Sequence, residues 1–270
     1  MMDDVTDIAA FYDNDPEREH RRLERHQLEY DLTWRYLNQY LPIRGRILEI
    51  GGGTGRYTLA LAKQSYLVTV VDLSEKLLEL GRKRIMEEGL ENQVRLVLGD
   101  ARELSKITEK DFDAVLVMGP LYHLVEEVDR KAVLKEAFDR LKVDGILFSS
   151  FISRFGILGD LIKNVPGWIE DQSEAGSIIE IGKNPGHIRG SGFRGYFARI
   201  SEIVPLHESC GFETLTIAGV EPAISADDES YNILQGRQRQ LWLDLFYKIS
   251  TEPSILGASR HVLYIGRRKF

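Results

Sequence analysis

The sequence predicts an α/β fold: an open, mostly parallel seven-stranded sheet with helices on both faces and a helical cap made from insertions. Two observations carry this. Short apolar runs rich in branched residues alternate with amphipathic segments from about residue 45 to residue 151. The first of these runs also ends in a glycine-rich turn, Gly51-Gly52-Gly53-Thr54-Gly55, which opens directly into a helix-forming segment. Apolar strands alternating with helices of one apolar face are the pattern of a parallel sheet buried on both sides, its strands joined by right-handed crossovers.

The elements follow in order. Residues 16–41 read as one helix, with Leu23, Tyr30, Trp34, Leu37 and Leu41 on a single stripe before Pro42 favours a stop. Strands are expected at 46–50 (RILEI), 66–71 (YLVTVV), 94–98 (VRLVL), 113–118 (DAVLVM) and 145–151 (GILFSSF). Between them, EKLLELGRKRIMEEGLE and DRKAVLKEAFDRLK read as helices, and in the second Leu134, Ala137, Phe138 and Leu141 share a face. After Phe151 the rhythm breaks: an apolar helix through RFGILGDLIKNV is expected, then an irregular Gly-rich stretch at 176–195. Helix ISEIVPLHESCG, strand FETLTI at 212–217, a helix near 235–249 and a terminal strand HVLYIG complete the sheet. The domain reading is therefore a helical cap segment at 1–41 and one domain at 42–270, with cap insertions near 152–200 and 222–258.

Composition narrows the class. The 270 residues are 43% hydrophobic and 29% charged, as in ordinary globular proteins, with a net charge of −7 that opposes a nucleic-acid backbone. Cys210 stands alone, so there is no disulfide framework or thiolate cluster. No run approaches the roughly 20 apolar residues of a membrane span, and the acidic opening MMDDVTDIAAFYDNDPERE does not read as a secretory signal. A cytoplasmic protein with no membrane or DNA partner is expected.

The glycine turn is the sharpest motif. Small residues permit a tight bend and close approach of a ligand to backbone, and the carboxyl end of a parallel strand beside a helix N-terminus is where an α/β cofactor binds. The dinucleotide pattern G-x-G-x-x-G from Gly51 needs glycine where Arg56 stands, and the phosphate-loop ending Gly-Lys-Ser/Thr is absent. The turn instead reads Glu49-x-Gly51-x-Gly53-x-Gly55. Asp72 closes the second strand, placed to accept from ribose hydroxyls. Asp100 follows the third, placed to accept from an adenine amine, with Ala101 offering a backbone contact.

This set of residues resembles the class I S-adenosylmethionine-dependent methyltransferase superfamily, over roughly residues 45–151 and more weakly to 270. The resemblance implies S-adenosyl-L-methionine as cofactor. It implies Glu49 orienting the methionine amine, Gly51, Gly53 and Gly55 shaping the loop, Asp72 on ribose, and Asp100 with Ala101 around adenine. Met118, Gly119 and Tyr122 lie where the family's fourth strand opens towards cofactor and acceptor. FYDNDPEREHRRLERHQLEY, VMGPLYHL, YF near 196–197, GFETLTIAGVE and GASRHVLYIGRRKF further resemble a largely uncharacterised group of bacterial small-molecule methyltransferases.

Methyl transfer from a sulfonium needs alignment and exclusion of water more than covalent help. The loop GPLYHL supplies the acceptor-site candidates. His123 is a candidate general base, against a loop histidine bonded to a carbonyl; Tyr122 stacks on or bonds the ligand, or belongs to the core. Tyr12 and His20 are candidates to close over the pocket, Arg22, Arg25 and Arg56 to bind an acidic acceptor, and Arg194, Tyr196 and His187 to join its wall. His20, His26, His123, His187, His207 and His261 show no metal-ligand spacing, so no metal is expected. A small-molecule methyl acceptor is expected, against an RNA or protein acceptor, a non-enzymatic S-adenosylmethionine-binding regulatory module, or an NAD-dependent oxidoreductase. The DNA amino-methyltransferase motif is replaced by GPLY.

Overall fold

Five apolar runs form the parallel half of the sheet: β1 (Arg46–Ile50), β2 (Leu67–Asp72), β3 (Val94–Leu98), β4 (Phe112–Val117) and β5 (Leu141–Ser153). In the computed structural model, which describes residues 4–17, 21, 25–184, 194–224 and 227–269, they lie in the order β3-β2-β1-β4-β5. Two later strands extend the sheet: β9 (His261–Arg268) runs antiparallel between β5 and β8 (Phe212–Gly219). These seven are the strands expected, with the last one antiparallel.

Alternate residues of each strand enter different cores, as the period-two pleat requires. Leu48, Ile50, Val115 and Val117 join one apolar cluster, while Ile47, Ala114 and Leu116 join the other. Burial on both faces is why the runs read as continuously apolar. Helices α3 (Arg56–Lys63), α4 (Glu75–Glu87) and α6 (Glu127–Arg140) cross over the sheet; α5 (Pro120–His123) is a single turn after β4. Ser74 starts α4 by accepting from the Leu77 amide.

Three expectations are corrected. The helix expected over 16–41 is interrupted: α1 spans Thr6–Asn14, α2 spans Gln27–Tyr40, and His26 between them leaves helical geometry at ψ 66°. Tertiary partners override helix propensity there, since the His26 ring is drawn into buried contacts with Asp228 and Arg260. The buried stripe of α2 is Leu28, Leu32, Tyr36 and Leu37, with Tyr30, Trp34 and Leu41 packing only at its margin; Leu23 lies outside the described residues. Second, part of the stretch expected to be irregular is ordered: α8 (Gln172–Ile181) ends at Gly182, whose φ of +75° and 2.3 Å approach of a Cβ to the Phe197 carbonyl oxygen suit glycine alone.

Third, the sheet gains two short strands, β6 (Lys183–Asn184) and β7 (Gly195–Ala198), giving nine described strands. β7 pairs parallel with β5 at Ile152 and Ser153. β4 stops pairing at Ser149 and β9 holds the other edge of Ile152, so β7 takes up the edge that β4 leaves. The insertion also contains α7 (Leu158–Asn164) and leads into α9 (Ile200–Glu208).

The second insertion holds α10 (Asp228–Asn232), α11 (Gly236–Ile249) and α12 (Pro253–Leu256). It packs on α2 through Arg239 to Asp31 at 2.7 Å and Tyr36 to Ser250 at 2.6 Å. No described helix is long and apolar enough to cross a membrane.

Candidate active site

The parallel strands end along one edge of the sheet, and β9, being antiparallel, begins there. Loops from that edge line a cleft of about 1100 Å³, partly open to solvent. It is the crevice expected outside the carboxyl ends of an α/β sheet.

The glycine turn forms its floor. The Gly51 amide donates to the Val71 carbonyl at 2.7 Å, tying the turn to β2. Gly51 has φ +76°, and a Cβ on it would meet Pro120 Cδ at 2.5 Å. Gly53 (φ +54°) donates to Asp72 Oδ2 at 2.8 Å, and Gly55 (φ +81°) starts α3. The turn is therefore held in left-handed geometry from both sides.

Glu49 lies within β1, 1% exposed, and accepts from the Thr58 hydroxyl. Burial pushes its carboxyl up to about 7, against the Thr58 hydrogen bond and with the Asp72 charge adding to the rise. Asp72 accepts from the Gly53 and Ser74 amides, one on each oxygen (2.8 and 2.9 Å). Asp100 reaches the cleft with Ala101, but Arg102 forks onto its carboxylate at 2.6–3.1 Å and joins it to the buried Asp129. An adenine amine at Asp100 would share oxygens already engaged by a guanidinium.

At the end of β4, Met118 lines the cleft and its carbonyl accepts from the Tyr122 hydroxyl at 3.3 Å. His123 is buried between two partners: Nδ1 is 3.1 Å from the Arg194 carbonyl and Nε2 is 2.6 Å from the Tyr12 hydroxyl. A carbonyl only accepts, so Nδ1 carries the proton, and in the neutral ring Nε2 accepts from Tyr12. Both nitrogens of the expected base are thus engaged.

Helix α1 closes over the cleft with Val5, Ile8, Ala9 and Tyr12 among the lining residues. Its polar ties among the described residues include Tyr12 to His123, Asp13 to the Ser74 hydroxyl and the Lys76 amide, and Arg194 to Asp7 at 2.8 Å. Arg194 and Tyr196, expected in the acceptor wall, are not among the lining residues; Tyr196 bonds Glu202 and lies under Arg130. Arg56 does line the cleft, donating to the His26 carbonyl at 2.7 Å and lying over Tyr30. Arg25 is exposed, with its carbonyl accepting from Asn232. His20, Arg22 and His187 lie outside the described residues.

Sequence reasoning missed Glu29, which lines the cleft from α2, and His261, the first residue of β9. A buried charge cluster stands behind His261: Glu221, His26, Asp228 and Arg260. His26, Glu221 and Asp228 come close enough to share an ion, but the Arg260 guanidinium sits among them, 2.7 Å from His26 Nδ1, and supplies the countercharge. The signal for His261 was its place at the start of an antiparallel strand, next to the sheet edge where the other motifs end.

The residues present fit S-adenosylmethionine. A turn without side chains admits ligand atoms to the backbone, and Glu49 and Asp72 offer acceptors for an ammonium and for ribose hydroxyls. Ala101 and Met118 add apolar surface.

Comparison with known proteins agrees. Residues 47–145 match the family described as a methyltransferase domain. A putative methyltransferase of Bacillus subtilis is 31% identical over 129 residues, 47% of this chain and 51% of that protein. A ubiquinone biosynthesis O-methyltransferase of Xylella fastidiosa is 32% identical over 120 residues, 44% of this chain and 47% of that one. The chain thus spans about half the length of the curated relatives it matches. A methyltransferase structure from Methanosarcina mazei superposes with a TM-score of 0.60 at 20% identity, covering 87% of this chain and 97% of the other. Residues 47–145 thus carry a methyltransferase domain, in a fold shared with solved S-adenosylmethionine-dependent methyltransferases.

Proposed function

We propose that the chain transfers the methyl group of S-adenosylmethionine to a small-molecule acceptor. The observation that carries this is the roof: α1 lays Val5, Ile8 and Ala9 over the same cleft that the glycine turn floors. Because the glycine turn and α1 line the same concave site, donor and acceptor would share one cleft, which suits a metabolite-sized second ligand. The net charge of −7 also disfavours a polyanionic RNA. Among similar proteins, one is named a tRNA 5-carboxymethoxyuridine methyltransferase and others act, by name, in ubiquinone and menaquinone biosynthesis. The family range therefore includes both acceptor classes, and the enclosed roof favours the smaller.

When bound, the cofactor supplies an electrophilic methyl on a sulfonium. In this reading Glu49 accepts from its ammonium, and Gly51, Gly53 and Gly55 shape the turn around its amino-acid part. Asp72 binds the ribose hydroxyls, Asp100 and Ala101 border the adenine, and Met118 flanks the methyl. Tyr122 and His123 form the acceptor wall, with His123 holding Tyr12 and so closing α1 against solvent. Residues 1–41 act as the cap, and the insertions brace it.

The test pairs binding with product analysis. Calorimetry is expected to show saturable binding of S-adenosylhomocysteine and none of NAD. Donor carrying a labelled methyl, incubated with separate small-molecule, tRNA and protein fractions, is expected to label the first. Label confined to tRNA or protein would overturn the acceptor class; saturable NAD binding without S-adenosylhomocysteine binding would overturn the whole reading.

A further inference from the structure

We propose that His261, held by Glu221, is the proton acceptor of this site, and that the methyl acceptor is a small molecule whose nucleophilic atom enters carrying a removable proton. The inference rests on the methyltransferase reading above and adds the acceptor's chemistry.

His261 is 5% exposed and lines the cleft at the first position of β9. Its Nδ1 lies 2.7 Å from Glu221 Oε2, and its backbone amide donates to the same oxygen at 3.1 Å. A carboxylate only accepts, so Nδ1 carries the proton, and in the neutral ring Nε2 keeps the lone pair. Nε2 makes no hydrogen bond among the described residues. A carboxylate fixing one imidazole nitrogen so that the other works is the arrangement by which proteins set both tautomer and direction.

Glu221 is built for that task. It follows β8 by two residues, is 1% exposed, and accepts from Arg260 Nε at 3.1 Å. Burial alone would raise its carboxyl, but His261 and Arg260 more than reverse this and hold it below the usual range. His26, Asp228 and Asp160 complete the charged surroundings through Arg260. His123 is the weaker base on geometry, because Tyr12 and the Arg194 carbonyl occupy both its nitrogens. Tyr122 lies between the two imidazoles, with ring centroids 4.9 Å from His123 and 6.4 Å from His261.

The lining charges point to the acceptor. Arg56 is the one guanidinium lining the cleft among the described residues, and it is already bonded to the His26 carbonyl and lies 3.8 Å from Glu29. An anionic acceptor would have to compete with Glu29 for that cation. A carboxylate also needs no base, which would leave His261 without a task. A hydroxyl or an ammonium on an apolar body fits both observations. His261 Nε2 takes the acceptor's proton, the freed pair on that atom bonds the methyl carbon, and the methyl–sulfur pair stays on sulfur. The imidazolium then returns its proton to solvent after product leaves.

His261→Asn is the test variant, since its amide can still donate to Glu221 while Nε2 is lost. It is expected to bind S-adenosylhomocysteine as the parent does. With labelled donor and a panel of phenols, benzylamines and benzoates, it is expected to lose about 100-fold in rate on the phenols and benzylamines, within the usual range for a general base. The loss is expected to shrink for a nitrophenol already ionised at neutral pH. A loss equal across the panel, or none, overturns the base. Label passing to benzoates alone, or to no probe from a parent that binds S-adenosylhomocysteine, overturns the acceptor class. Failure of S-adenosylhomocysteine binding would instead sink the methyltransferase reading. Independently of activity, nitrogen-15 spectra of the parent are expected to show His261 protonated at Nδ1 and bare at Nε2, a preference that Glu221→Gln relaxes. The opposite tautomer in the parent overturns the proposal.

Discussion

Tyr12 and His123 stand 111 residues apart and meet across the cleft, the tyrosine hydroxyl donating to Nε2 at 2.6 Å. Their rings also meet edge to face, with centroids 5.4 Å apart. The bond joins α1 to the turn after β4, so it couples the roof of the cleft to its wall.

Removing the hydroxyl tests that coupling. Tyr12→Phe leaves a buried Nε2 short of this donor, a loss of roughly 1–3 kcal/mol. Amide exchange over residues 6–14 is expected to speed up while the β1 and β4 amides stay protected. S-adenosylhomocysteine affinity is expected to fall, because the roof spends less time closed.

In the proposed reading, Glu49 links donor binding to pH. Burial raises its carboxyl to about 7, so the folded, ligand-free protein holds a proton there that the unfolded chain has released. This group's contribution to stability is full below its ordinary value of 4.5 and is lost as pH rises through about 7. An ammonium beside Glu49 favours the ionised form. Affinity for S-adenosylhomocysteine is therefore expected to tighten from pH 6 to pH 8, with proton release visible in calorimetry across buffers of different ionisation enthalpy. Glu49→Gln is expected to weaken binding and to remove this dependence.

His207 gives a pH effect of opposite sign and no bearing on the ligand. It is buried against Tyr264, with Nδ1 2.6 Å from the Ile203 carbonyl and Nε2 2.7 Å from the Ser149 hydroxyl. Burial lowers its pKa to about 3 from an ordinary 6.5, so unfolding takes up a proton anywhere between those values. The stabilising contribution is complete above 6.5 and is lost as pH falls towards 3. Urea midpoints are expected to drop below pH 6.5, by up to about 1.4 kcal/mol per pH unit. His207→Gln is expected to flatten that slope at the cost of lower stability at pH 7.

The glycine turn separates crowding from backbone strain. Gly51→Ala sets a Cβ 2.5 Å from Pro120 Cδ in a left-handed backbone, whereas Gly53→Ala meets nothing nearer than Leu77 at 3.8 Å. The left-handed conformation alone costs roughly 1–2 kcal/mol. Thermal unfolding is expected to show that loss for Gly53→Ala and a larger one for Gly51→Ala.

The parts legible in the sequence were those with local causes. Strands buried on both faces announced themselves as apolar runs, and Asp72 could be placed because its strand ends on it. Glu49 was legible by its spacing to the glycines, although its burial inside β1 was not. The break at His26 went unread because its causes are distant: Arg260 is 234 residues away and is itself held by Glu221. The same distance hid His261, whose orientation depends on a carboxylate 40 residues earlier. GFETLTIAGVE and GASRHVLYIGRRKF each contained one partner, but only strand pairing brings Glu221 and His261 together. β6 and β7 were too short for a periodic signal, and their reason for being strands is the free edge of β5 above β4.

That borrowed edge bears on how ligands would pass through the proposed active site. β7 is bonded backbone to backbone with β5, whereas α1 is held by side-chain ties at Tyr12, Asp13 and Asp7. In the proposed reading, ligand exchange is then expected at the α1 side, and lifting of this nine-residue helix is expected to bound the turnover rate.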